Sequence, residues 1–183
     1  MTSELAPEPM ATDAALLEAL RDGWREAQTV FQEMFPGPVS LLEPVVGITD
    51  LVELLPDTIA VGMRFEGRSP GLAALSLDRT AARALVASLL GSGEADDAEV
   101  LSLLTDTSLE LANIVLNAVL AEAGRALSET YRFEVPALMT ADELAVPYGC
   151  RAYLLRGEIV CGEALPAPAQ VIIRRASSGE RGR

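Results

Sequence analysis

The chain has 183 residues, half of them hydrophobic, and a formal net charge of −13, which suits one domain with a sizeable core. Its 14 basic residues are all Arg, and His is absent, so a Walker or Schiff-base lysine, a histidine general base and any His-containing zinc site are excluded. Duplex nucleic acid and an anionic membrane surface are poor partners, because neutralising phosphate needs a basic face.

Residues 1–12 read as a disordered acidic lead without a signal-peptide pattern. No apolar run approaches the ~18–20 residues of a membrane span, so a cytoplasmic protein without membrane contact is expected. Thr12 or Asp13 can cap a helix running to about Phe35 and stopped by Pro36-Gly37-Pro38. Leu16, Leu17, Leu20, Trp24, Ala27, Val30, Phe31 and Met34 recur there at helical spacing, which makes Trp24 a core residue. The Pro-punctuated segment from Leu41 to Pro56 has room for short strands near Val45 and Leu51. Ile59, Val61, Met63 and Phe65 then alternate with Ala60, Gly62 and Arg64, the period of a half-buried strand. A turn at residues 66–71 leads to a second arm, Leu72 to Leu77. Asp78 precedes a helix from Arg79 to Leu90, ended by Gly91.

Asp96 and Glu99 form an Asp-x-x-Glu capping box for a long helix reaching Leu127. Tyr131 to Met139 reads as a strand interrupted by Pro136, which implies an edge, a bulge or a strand end. Two arms around Arg156-Gly157, Cys150–Leu155 and Glu158–Gly162, and a last short strand, Val171–Arg174, complete the pattern. Pro166 and Pro168 break the chain between them, and residues 176–183 read as a disordered tail. Cys150 and Cys161 lack metal-type spacing. They fit two small buried residues in neighbouring strands, or a disulfide or redox pair. Strand runs joined by hairpins, with helices between them, predict an α+β fold with a mainly antiparallel sheet. A long helix followed by strands occurs twice, a loose internal echo.

The long helix carries a polar stripe that its folding does not require. Asp106, Glu110, Asn113 and Asn117 lie within about 60° of one another on its surface, opposite Leu104, Leu111, Val115 and Val119. Asn is a poor residue for a helix interior.

Asp106, three residues, Glu110, two, Asn113, then twenty-two, Pro136: this spacing resembles the signature of the CheC/CheX/FliY phosphatases of bacterial chemotaxis. The signature is Asp or Ser, x3, Glu, x2, Asn, x22, Pro. A chance match is expected in roughly one chain of this length in several hundred. The hairpin, the helix ending Leu-Leu-Gly and the acidic link before the motif helix also run as in CheX-like chains. The resemblance spans about residues 13–174 and implies a single CheX-like domain, 13–175, with pseudo-two-fold halves. It implies hydrolysis of the aspartyl phosphate of a phosphorylated CheY-like response regulator. That partner supplies the acyl phosphate, Mg²⁺ and a lysine, so the chain needs no cofactor of its own. Asn113 would orient the attacking water and Glu110 would contact the regulator's lysine. Asp106 and Asn117 would be secondary contacts, and Pro136 would shape the neighbouring strand.

The resemblance also implies a homodimer, through strand edges in the C-terminal third. Members with two sites carry a motif in each half, and Asp22, Glu26 and Thr29, with Val52 in the Pro position, are a degenerate candidate for the first. One active site is expected. The same resemblance extends to FliM-type switch proteins, which leaves a non-catalytic regulator-binding adaptor as the alternative, and to CheC-type modulation of the CheD deamidase.

Overall fold

Alternating apolar residues and a glycine-containing turn place a hairpin mid-chain, and a sheet is assembled on both sides of it. The computed structural model describes residues 9–34, 39–50, 52, 57–89, 97–145, 151–161 and 166–175. The elements run α1 (Pro9–Met34), β1 (Val39–Leu41), β2 (Val45–Thr49), β3 (Thr58–Glu66), β4 (Gly71–Asp78), α2 (Arg79–Leu89), α3 (Asp97–Leu127), β5 (Arg132–Phe133), β6 (Ala137–Leu138), α4 (Ala141–Leu144), β7 (Ala152–Cys161) and β8 (Ala167–Arg175). The strands form one antiparallel sheet in the order β1–β7–β8–β4–β3–β5. Strand β2 continues the first edge against β7, and β6 continues the other against β3. The expected α+β architecture is what the chain adopts.

Ile59, Val61, Met63 and Phe65 of β3 lie in the main core with Ala73, Leu75 and Leu77 of β4, together with the buried faces of α1, α2 and α3. The intervening Ala60 is also buried, with Leu72 and Ala74, beneath Met139 and Leu144. The sheet is therefore covered on part of its second face, which period-2 alternation in β3 does not announce. Helix α4 supplies that cover. It opens with a capping box in which the Thr140 N–H donates to the Glu143 carboxylate at 2.8 Å and the Glu143 N–H donates to Thr140 Oγ1. These bonds from Thr140 hold the Glu143 carboxyl below its usual range. Thr-x-x-Glu is the sequence signal for this start.

Helices α1 and α3 pack against each other. A Cβ on Gly23 would stand 2.4 Å from the Val119 Cα, so only glycine permits this separation. Trp24 is fully buried, and its Nε1–H donates to the Leu42 carbonyl at 2.9 Å.

Four expectations need correction. Helix α1 begins at Pro9, so Asp13 is not its cap; its carboxylate instead accepts from the Tyr153 hydroxyl at 2.7 Å. Burial, then the Asp13 contact, pushes the Tyr153 pKa up to about 12. Arg156-Gly157 is not a turn, because β7 runs straight through it. Gly157 lies beneath the Trp24 ring, where a Cβ would come within 2.5 Å of Cζ2, so close packing explains this glycine. Pro168 does not break the chain: β8 starts at Ala167, and Pro168 faces Glu158 beyond the last β4 pair, Leu77–Ala169, so no β4 residue needs its missing N–H. Finally, β7 and β8 are interior strands, so among the described residues the strand edge left in the C-terminal third is that of β5 and β6, away from Pro166 and Pro168. The expected lead (1–8), tail (176–183), Pro-Gly-Pro stop, Leu51, Gly91, Asp96 cap and Cys150 lie outside the described residues.

The two halves are related by a pseudo-dyad through the Leu75–Val171 pair. Phe65 faces Phe133 and Gly62 faces Ala137, so Met63 and Arg64 stand opposite Glu134, Val135 and Pro136, a bulge. At the other edge Ile159 faces Leu41 and Arg156 faces Val45, so Gly157 and Glu158 stand opposite Leu42, Glu43 and Pro44. The Glu134 N–H donates to the Arg64 carbonyl and the Leu42 N–H to that of Glu158, each at 2.9 Å. The helices obey the same relation. Buried Leu16, Ala19, Leu20, Trp24, Ala27 and Phe31 match buried Ser108, Leu111, Ala112, Leu116, Val119 and Ala123 in order.

Replacing Gly23 with Ala should destabilise the protein by about 2 kcal/mol, although Ala is the better helix former by nearly 1 kcal/mol. Urea denaturation measures it, and a stabilised variant would show that the helices do not approach as described.

Candidate functional site

Helix α3 is gripped along most of its circumference, because α1, α2 and the sheet strands β3 and β4 all pack against it. Leu104, Leu111, Ala112, Val115, Leu116, Val119, Leu120 and Ala123 are buried by these contacts. The polar stripe lies outside these contacts. Asp106 and Glu110 are exposed, and Asn113 and Asn117 are half-buried. Asn117 Nδ2 donates to Asn113 Oδ1 at 2.8 Å.

The wall opposite is the β5–bulge–β6 edge. A cleft of about 550 Å³ lies between them, lined by Asp106, Leu109, Glu110, Asn113, Asn117, Phe133, Glu134, Val135 and Pro136. All five residues singled out from the sequence line this one cleft. Pro136 closes the bulge on an edge strand, where its lack of an N–H costs no sheet hydrogen bond.

The apolar rim of the cleft is not announced by the sequence. Val135 is 86% exposed and Phe133 38%, and both line the cleft. An apolar residue beside a Pro-interrupted edge strand was the available signal, but without the bulge its side could not be assigned. A bulge reverses the alternation at one residue, and here it leaves Val135 facing solvent at the cleft mouth.

The turn from α3 into β5 sets the position of this wall. Ser128 adopts a left-handed φ of 52° and the Glu129 N–H returns to the Gly124 carbonyl at 2.8 Å, a helix stop. The Glu129 carboxylate then pairs with Arg175 and accepts from Ser69, each at 3.1 Å. Tyr131 stacks at a tilt on Phe65, with ring centroids 4.9 Å apart. Burial, then the Glu129 charge, pushes its pKa up to about 12.

The pseudo-dyad relocates the counterpart of the site in the first half. Pro44 corresponds to Pro136, so Glu110, Asn113 and Asn117 correspond to Glu18, Arg21 and Arg25, and Val135 to Glu43. The Asp22–Glu26–Thr29 candidate is displaced from these positions by about two helical turns. Arg21 pairs with Glu18 at 2.8 Å, and Arg25 pairs with Asp22 at 2.9 Å and Glu43 at 2.6 Å. Where the second half has two amides and an open mouth, the first has paired charges.

Among the described residues no three His, Cys, Asp or Glu side chains gather as a metal site requires. Residues 103–127 of α3 are long and apolar enough to cross a membrane by length and composition, contrary to the expectation that no segment would be. In this fold 44% of that apolar window is buried.

No protein-family model matches the sequence, and no curated protein matches it. Solved structures do. A chain of the CheX–CheY–BeF3–Mg²⁺ complex from Borrelia burgdorferi is 17% identical, with a TM-score of 0.60, covering 88% of this chain and 98% of that one. Thermotoga maritima FliY is 15% identical, with a TM-score of 0.63, covering 94% and 92%. The FliM middle domain of Vibrio alginolyticus is 12% identical, with a TM-score of 0.53, covering 87% and 93%. At these identities the likeness establishes a shared fold.

Proposed function

We propose that this chain, which has the CheC/CheX/FliY fold, is a phosphatase acting on the aspartyl phosphate of a CheY-like response regulator in the cytoplasm. The observation that carries the reading is the convergence of Glu110, Asn113 and Pro136, matched to the family signature by spacing alone, on one open cleft. The likeness to a chain from a CheX–CheY complex supports the choice of partner.

The chemistry asks little of the protein. Water attacks the phosphorus as the bond to the aspartyl carboxylate oxygen breaks, giving inorganic phosphate and a free carboxylate. The substrate brings Mg²⁺ and a lysine that neutralise charge on the phosphoryl oxygens and the leaving carboxylate. Catalysis then consists of positioning. Asn113 is the neutral group that can approach an anionic phosphoryl centre and hold the water in line. Glu110, one turn toward the N-terminus, sits where it can pair with the lysine and fix the register. Asp106 extends that contact, and the exposed Val135 seats against the regulator's surface.

A second reading has one observation in its favour. The FliM middle domain shares the fold, so a regulator-binding adaptor without turnover is the alternative. Capture of a BeF3-activated receiver domain, without acceleration of phosphoryl loss from the phosphorylated one, identifies it. A homodimer formed by strand pairing would use the β1–β2 edge, since pairing at β5–β6 would obstruct the cleft. Sedimentation equilibrium measures whether one forms.

Receiver domains phosphorylated with acetyl phosphate provide the main test. The protein should accelerate phosphate release from its cognate domain, and Asn113→Ala should reduce kcat by about 100-fold. Release at the spontaneous rate across a broad panel of receiver domains rejects the enzyme. Val135→Asp should leave stability within about 0.5 kcal/mol and raise KM several-fold while kcat holds. In an Asn113→Ala background, neither Arg21→Asn nor Thr29→Asn should restore turnover, because Arg25 and Glu43 still occupy the first-half mouth. Recovered activity would show that this half is competent.

A further inference from the structure

Asn117 lies outside the four-residue signature, yet its amide makes a defined contact in the cleft. Side chains on a helix lean toward its N-terminus, so a residue at i+4 reaches back over residue i. Asn117 does this: its Nδ2–H is bonded to Asn113 Oδ1 at 2.8 Å. The contact does not serve the helix, since two Asn residues in a helix interior disfavour it more than one such pair supports it. Nor does it satisfy a buried group, because both side chains are only half-buried.

We infer that Asn117 is a positioning residue for Asn113, holding its amide in one rotamer and one sense, with Oδ1 toward Asn117 and the Nδ2 hydrogens directed into the cleft. This rests on the phosphatase reading and deepens it. A planar amide whose oxygen is held from behind presents its nitrogen to whatever enters in front. Asn113 then donates to the attacking water, which keeps a second lone pair for phosphorus and both hydrogens for acceptors on the substrate.

The size of the effect follows from counting states. A helical Asn has two accessible χ1 wells, and its terminal amide can face either way. An unrestrained Asn113 therefore spends about a quarter of its time in the productive arrangement. The dyad mates of this pair, Arg21 and Arg25, turn instead to Glu18, Asp22 and Glu43, so the Asn–Asn contact belongs to the second half alone.

Asn117→Leu removes the donor and keeps the helix, since Leu is the better helix former. The expected result is a kcat lowered about four-fold with KM for the phosphorylated receiver domain unchanged. A raised KM with unchanged kcat would make Asn117 a docking contact and overturn the inference. Side-chain ¹⁵N relaxation of the Asn113 amide in the unliganded protein gives a readout independent of turnover. It should be restrained in the wild type and mobile in Asn117→Leu, and equal mobility in both overturns the inference. If no receiver domain is turned over, the phosphatase reading falls and the relaxation measurement alone decides whether Asn117 holds the amide.

Discussion

The close approach of α1 to α3 at Gly23 is the constraint on which the cleft depends. Glycine lets α1 come down on the backbone of α3 at Val119, so α3 is held by α1, α2 and the sheet at once. A helix held in this way offers its polar strip at a fixed place. The opposite wall continues from α3 through the turn at Ser128 and is pinned by hydrogen bonds between β5, β6 and β3. The width of the cleft therefore depends on where α1 holds α3 and on where β3 holds the bulge. Any side chain that lifted α3 away from α1 would move Glu110 and Asn113 relative to Pro136 without touching any of them.

Much of this was legible because the signals were local. Helical periodicity gave α1 and α3 nearly to their ends, and alternation with turn chemistry gave β3 and β4. The polar stripe was visible because Asn opposes helix propensity. What could not be read depended on pairing partners far away in sequence. Gly157 resembles a turn residue until Trp24 is placed over it. Pro168 resembles a break until β4 is seen to end before reaching it. Ala60 reads as solvent-facing until α4 covers it. The first-half counterpart of the site was misplaced for a related reason: a helix offers acidic residues on many turns, and the sequence does not say which turn lies beside the bulge. Sheet register fixes that position, and it selects Glu18 and Arg21.

Charge sharpens the proposed division of labour. The chain carries −13 overall, and its cleft has Asp106, Glu110 and Glu134 on the rim. Such a surface would repel an isolated phosphate. It suits a phosphoryl group presented with a divalent cation and a lysine, since the carboxylates then face the cations. The group in the middle of the stripe, Asn113, carries no charge. At about 4 Å, like charges in water cost about 1 kcal/mol, and several times that where water is excluded. A carboxylate at position 113 would thus work against the proposed reaction, which an amide permits.

The same reasoning explains why two similar halves need not hold two sites. Both have the long helix, the bulge and the proline, so the scaffold alone does not make a site. In the first half, Arg25 reaches across to Glu43 at 2.6 Å, joining the helix to the bulge where Asn117 and Val135 leave the second half open. Arg21 is turned onto Glu18. These exposed ion pairs contribute little stability, about 0–1 kcal/mol each, so folding alone does not account for them. Their effect is to occupy the groove and to replace a neutral amide with a cation already paired to the adjacent Glu. The second half keeps an uncharged amide steadied by another amide, beside a carboxylate with no such cation on the neighbouring turn. Duplicated architecture with unequal side chains thus concentrates the proposed chemistry at Glu110 and Asn113.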